Sequence, residues 1–231
     1  MLDTKWSPHK TQSMISDCYW LRNSKTDEIP ADCWFLYSKL RDLGVKQFQT
    51  VIDDIHSRVE GGTVFPMTVD PILRYLDGCN ISFVPFCHRD KYGHSEIEGY
   101  READPSDPYS VTIYYNESAP LSRQTFTKIH ELFHFMQQLD SKFMFVIDKL
   151  IEDKSIPVIV IHKLLERVTD KATSLYLLPK EQFVRKFETI QGSVDTFGLG
   201  QLQMLAEYFQ VSKKTAFYRL KECGIYVPVN I

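Results

Sequence analysis

The sequence lacks the features of membrane, secreted and dedicated nucleic-acid-binding proteins. Its longest purely apolar run, near Ile156–Ile161, contains six residues including a proline, whereas a membrane span needs roughly 18. The opening MLDTKWSPHKTQS has no apolar core of a signal peptide. The 27 Lys and Arg residues against 30 Asp and Glu residues leave a net charge of −3, far from the basic balance of a typical nucleic-acid binder. We expect no membrane segment.

Cysteine is also scarce. The chain has five cysteines, an odd number, scattered and without a C-x-x-C pair. This usage indicates reduced thiols and a cytoplasmic location. Hydrophobic residues make up 43% and charged residues 25%, as in ordinary globular proteins. At roughly 100–200 residues per domain, 231 residues predict one main domain with appended segments.

Helical patterns occupy both ends of the chain, and strand patterns occupy its middle. Two helices are predicted between Ala31 and Val59, separated at Gly44, and a short one over Val69–Leu76. Everything after Ser122 reads as helix with breaks at prolines and glycines. The predicted strands are Ile81–Phe86, Glu96–Glu102 and Ser110–Tyr115. This order predicts an α+β fold, mostly helical, with a small antiparallel-type sheet.

The segment that carries chemistry is H-E-L-F-H, residues 130 to 134. On a helix, His130 and His134 project from one face, one turn apart, and can bind a single metal ion. Glu131 lies about 100° round the helix from His130, where it can act on a water as the catalytic base. A catalytic zinc site needs a third protein ligand, and spacing alone does not choose it. The candidates are Glu152, His162, Glu166, Asp170 and Glu181.

Two segments, FTKIHELFHF and ERVTDKATSLYLLP, resemble the ImmA/IrrE family of metallo-endopeptidases. The resemblance implies a zincin-like core in which Glu166 is the third metal ligand, with His162 as the alternative. It also implies that Asp170 orients a ligand histidine. Zinc is favoured over Mn²⁺ because imidazole suits borderline-soft ions. The implied substrate is a helix-turn-helix transcriptional repressor, cut in a stress-response or mobile-element switch.

We expect a peptide substrate to add as a strand along the small sheet. The strand Ser110–Tyr115 leads into the site helix and is predicted to supply that edge, with Tyr114 and Tyr115 binding substrate. A tyrosine or histidine is expected to stabilise the oxyanion, but the sequence does not identify it.

The C-terminal stretch reads as two helices around Gln210-Val211-Ser212, with Ser212 as an N-cap. We expect this helix-turn-helix-like pair to pack or to dock substrate. Nucleic-acid binding through residues 200–224 is less favoured, because no base-reading cluster stands out. The predicted units are a helical extension (1–65), a metallopeptidase domain (66–190) and a helical segment (191–231). The alternative function is a non-proteolytic DNA- or protein-binding regulator with a structural metal.

Overall fold

The computed structural model describes residue 29 and residues 33–59, 65–87, 98–152, 157–192 and 197–228. Much of the predicted N-terminal extension and the start of the second predicted strand lie outside these residues. None of the described helices is long and apolar enough to cross a membrane. The α+β fold class is confirmed. The described elements are α1 (Trp34–Ser57), α2 (Asp70–Tyr75), β1 (Asn80–Phe86), β2 (Gly99–Asp104), β3 (Asp107–Asn116), α3 (Leu121–Leu139), α4 (Ser141–Glu152), α5 (Val158–Leu177), α6 (Lys180–Gln191), α7 (Leu199–Phe209) and α8 (Lys213–Glu222).

The sheet is mixed, which corrects the antiparallel arrangement expected from the sequence. Its strand order is β1-β3-β2. Strands β2 and β3 form an antiparallel hairpin, and β1 pairs with β3 in parallel. The chain reverses twice between β1 and β3, and β3 then inserts between the other two strands. Two reversals make β1 and β3 parallel, and the alternation of residues within each strand does not encode this order of neighbours.

Helix α1 continues through Gly44, where two separate helices were predicted. Gly44 is buried, and a Cβ there would lie 3.0 Å from Cγ1 of Val168 on α5. Helix α1 packs along α5, so the glycine allows a close helix–helix approach. Its small size is used here for packing, and it does not end the helix.

Helix α3 is covered on two sides, by the sheet and by α5. Residues of β3 such as Ile113 pack into the core, and Phe133 of α3 meets Phe48 of α1 edge-on, with ring centroids 5.2 Å apart. This placement buries every α3 residue from Ile129 to Gln137, including its polar side chains. Buried polar groups require partners, and those partners define the site described below.

The C-terminal helices pack as the predicted pair. Gln210 has a left-handed φ of 52° in the connecting turn, and the Thr215 backbone N–H donates to Oγ of Ser212 at 3.0 Å, which confirms the predicted N-cap. Arg219 of α8 is buried. Its Nε donates to the carbonyl of Leu178, the C-cap residue of α5, at 2.9 Å. Arg219 therefore ties the C-terminal helices to the end of α5.

Replacing Arg219 by Ala is expected to lower the free energy of unfolding by about 2–4 kcal/mol, because a buried carbonyl loses its charged donor and a cavity forms. The measurement is urea denaturation. Arg185→Ala is the matched control, since that arginine is 78% exposed and lies 3.9 Å from Glu181; its expected effect is below about 0.5 kcal/mol. Equal losses in both variants would contradict this assignment.

Candidate metal centre

The structure brings together His130 and His134 of α3 and Glu166 of α5. One ligand atom from each of the three lies within 4.8 Å of the other two. Nε2 of His130 is 3.3 Å from Oε2 of Glu166, and Nε2 of His134 is 3.2 Å from Oε1 of the same carboxylate. The two histidines come from consecutive turns of one helix, and the glutamate comes from the helix packed against it.

The donor set fits a zinc ion. His130 and His134 are 4% and 5% exposed, yet both ring nitrogens of His130 and Nε2 of His134 make no hydrogen bond of normal geometry. Nitrogens that are buried without hydrogen bonds are well suited to bind a metal. In a tetrahedral zinc site with bonds of about 2.0–2.1 Å, neighbouring ligand atoms are about 3.3 Å apart. The two nitrogen–oxygen separations, each to a different oxygen of the Glu166 carboxylate, are close to that value.

The other predicted residues of α5 flank Glu166 on the same face. Oδ1 of Asp170 lies 3.2 Å from Nδ1 of His130, the position expected for a carboxylate that orients this ring. Nε2 of His162 lies 3.7 Å from Oε1 of Glu166, and His162 is not part of the three-residue cluster. The remaining candidates pair with neighbours on their own helices, Glu152 with Lys149 and Glu181 with Arg185.

Two residues that hold His134 were missed at the sequence level. Nδ1 of His134 lies 3.0 Å from Oε1 of Gln137 and 3.2 Å from Oγ1 of Thr169. Gln137 stands three residues after His134, on the same helical face, and this spacing was a usable signal. Thr169 comes from α5, so only the packing of the helices reveals its role.

The carboxylates set the protonation of the metal-free cluster. Burial disfavours a charge on His130, but the Asp170 and Glu166 carboxylates beside its two nitrogens, together with the charge of Glu131, raise the pKa of His130 to about 9. Burial lowers the pKa of His134. Burial also acts to raise the pKa of Glu166, but His134 and His130 outweigh it and hold that pKa well below its usual range. The metal-free site therefore carries a protonated His130 at neutral pH.

Strand β2 lies directly against α3 and brings an arginine to the catalytic candidate. Nη1 of Arg101 is 3.3 Å from Oε2 of Glu131. The close approach depends on Gly99, because a Cβ there would overlap the Thr127 side chain and lie 2.6 Å from the carbonyl oxygen of Tyr114.

Replacing Gly99 by Ala is expected to lower the free energy of unfolding by about 1–3 kcal/mol, because the carbonyl belongs to the backbone and cannot rotate away. Thermal and urea unfolding measure the loss. The matched control is Gly200→Ala, since a Cβ at Gly200 has no neighbour within 4 Å; that change should be neutral or stabilising. A Gly99→Ala protein as stable as this control would refute the close packing around Gly99.

The predicted substrate strand has a different position from the one expected. Strand β3 is the central strand and is paired on both sides, so it offers no free edge. The Tyr114 hydroxyl donates to Oε2 of Glu102 at 3.1 Å, and Nζ of Lys128 sits 3.6 Å from the centre of the Tyr115 ring. The substrate-binding role of these two tyrosines stays a prediction. The sheet edge next to Glu131 is β2.

A comparison with protein-family models matches residues 78–221 to the family described as Peptidase_M78: IrrE N-terminal-like domain. The match covers more than half of the chain. It runs from just before β1 into α8 and includes the His130, His134 and Glu166 cluster. A search of curated proteins finds no match.

Proposed function

The chain belongs to the IrrE N-terminal-like domain family of metallopeptidases, and from this premise we propose that it is a zinc-dependent endopeptidase. The observation that carries the proposal is the cluster of His130, His134 and Glu166 with Glu131 beside it. These three ligands would hold the ion, and two imidazoles with one carboxylate suit zinc better than Mn²⁺. Bound there, zinc lowers the pKa of a coordinated water toward about 7 and polarises a carbonyl.

Glu131 is the general base of the proposed reaction. Its carboxylate is 5% exposed and is paired with Arg101, so it sits in a fixed place beside the cluster and is shielded from bulk water. It takes a proton from the attacking water and delivers it to the nitrogen of the leaving amine.

The substrate is proposed to bind as an extended peptide along β2. This strand is at an edge of the described sheet and lies against the site helix. The backbone groups on the outer side of an edge strand can pair with a peptide. Pairing there would lead the peptide past Glu131.

We further propose that the substrate is a helix-turn-helix repressor, cut in the cytoplasm in a stress-response or mobile-element switch. The substrate class rests on the family resemblance alone. The compartment is supported by the cysteines, because Cys33, Cys79, Cys87 and Cys223 form no disulfide among the described residues.

The test incubates zinc-loaded protein with the helix-turn-helix protein encoded beside its gene and measures product masses. We expect one specific cut that stops when a chelator removes the metal and returns when zinc is added. Cleavage that persists without metal would contradict the proposal. Salt-sensitive binding to duplex DNA by metal-free protein, with no cleavage, would favour a non-proteolytic regulator instead.

A further inference from the structure

Arg101 is placed to contact more than Glu131. Its guanidinium is 14% exposed at the side-chain level and lies between β2 and α3. Nη1 lies 3.3 Å from Oε2 of Glu131, and Nε lies 3.5 Å from Oε1 of Gln138. An arginine carries five N–H groups, so these two contacts among the described residues leave donors for a further acceptor.

Strand β2 and helix α3 advance by nearly the same distance between two successive contacts. Gly99 meets Thr127, and two residues later Arg101 meets Glu131, four residues further along the helix. Two strand residues advance about 6.7 Å, and four helical residues advance about 6.0 Å. A peptide paired with the edge of β2 would therefore pass Arg101 at the level of Glu131.

We propose that Arg101 is a catalytic residue whose guanidinium donates hydrogen bonds to the carbonyl oxygen of the scissile peptide bond as it becomes an oxyanion. This inference rests on the proposed endopeptidase function. The sequence pointed to a tyrosine or histidine for this task. Tyr114 and Tyr115 instead contact Glu102 and Lys128, whereas Arg101 is a cation in contact with the base.

The charges on Glu131 and on the substrate oxygen during the reaction explain why an arginine suits this role. The water oxygen bonds to the carbonyl carbon, the π electron pair moves to the carbonyl oxygen, and the water proton goes to Glu131. Glu131 becomes neutral as the negative charge appears on the substrate oxygen, so Arg101 keeps an anionic partner throughout. When the C–N bond breaks, the oxyanion pair re-forms the carbonyl, and the C–N electron pair leaves with the nitrogen. The nitrogen takes the proton from Glu131, whose carboxylate again pairs with Arg101.

The test compares two ligands by calorimetry on zinc-loaded protein. One is an N-phosphoryl dipeptide, whose tetrahedral anionic oxygens resemble the oxyanion, and the other is the same dipeptide without the phosphoryl group. Arg101→Gln is expected to weaken binding of the phosphoryl ligand about 10- to 100-fold and to leave the plain dipeptide unchanged. Arg101→Lys should fall in between. Arg123→Gln is the matched control, because Arg123 of α3 pairs with Glu98 at 2.9 Å on the surface.

With the repressor substrate, Arg101→Gln is also expected to lower kcat by about 10²- to 10³-fold with little change in KM, at unchanged zinc content. Equal phosphoryl-ligand affinity in Arg101→Gln and wild type would overturn the role of Arg101, as would a wild type that does not prefer the phosphoryl ligand. Neither result bears on whether wild type cuts protein. A wild type that binds zinc but cuts no protein overturns the endopeptidase function, and the catalytic role of Arg101 with it.

Discussion

Glu131→Gln is expected to abolish peptide cleavage while leaving zinc binding intact. Glutamine has the same shape, and its amide oxygen can still accept from Arg101, but it cannot take a proton from water. Loss of a general base costs about 10²- to 10⁴-fold in rate. Glu131 is outside the three-residue ligand cluster, so the metal content should stay at the wild-type value.

The measurement pairs a cleavage time course with metal analysis of the same preparation. Glu181→Gln is the matched control, since that carboxylate is 79% exposed and 3.9 Å from Arg185; it should cut at the wild-type rate. Cleavage by zinc-loaded Glu131→Gln at the wild-type rate would show that another group is the base. Loss of zinc in that variant would show that Glu131 is a ligand.

Zinc affinity is expected to rise at least tenfold per pH unit between pH 6.5 and about 9, since ionisation of a zinc-coordinated water would add to the loss of the His130 proton. In the metal-free protein the neighbouring carboxylates raise the pKa of His130 to about 9, and zinc binds only the neutral imidazole. The pKa of His134 and that of Glu166 are lowered, so neither releases a proton in this range. Each zinc ion bound should therefore displace one proton from His130.

Calorimetry in buffers of different ionisation enthalpy measures the number of protons released per zinc ion bound at pH 7.5. Asp170→Asn removes one of the carboxylates beside His130. In this variant the zinc affinity should therefore stop rising at a lower pH than in wild type. No proton release at pH 7.5 would contradict the assignment.

The raised pKa of His130 also predicts how the stability of the metal-free protein depends on pH. The pKa of His130 in the folded protein lies above its unfolded value of about 6.5. The stabilisation of the folded state by protonated His130 is therefore fully present below pH 6.5 and is lost as pH rises through about 9. The metal-free protein should therefore melt at lower temperature as pH rises across that window.

How much the sequence could predict depended on the range of the interaction. The pairing of His130 with His134 depends only on the helical repeat, which brings residues four apart onto one face. The N-cap at Ser212 was likewise predictable, since local propensity sets it.

Other features depended on contacts between distant segments. Gly44 reads as a helix end in sequence, and its packing against Val168 shows why the helix continues. Strand β3 has the strongest strand pattern, but the central place it takes follows from the order in which strands pair. For that reason the proposed substrate edge is β2 and not β3.

The sequence by itself determined the side chains at the centre of this protein: two histidines and a glutamate on one helix, in a chain that belongs to the IrrE N-terminal-like domain family. The family resemblance already favoured Glu166 over His162, and the tertiary structure brings Glu166 to the histidines. Only the tertiary structure showed that Arg101 reaches Glu131. Arg101 is 30 residues from Glu131 along the chain, and Glu166 is on a separate helix. Helical periodicity acts over one or two turns, whereas such pairs form only when a strand and two helices pack together.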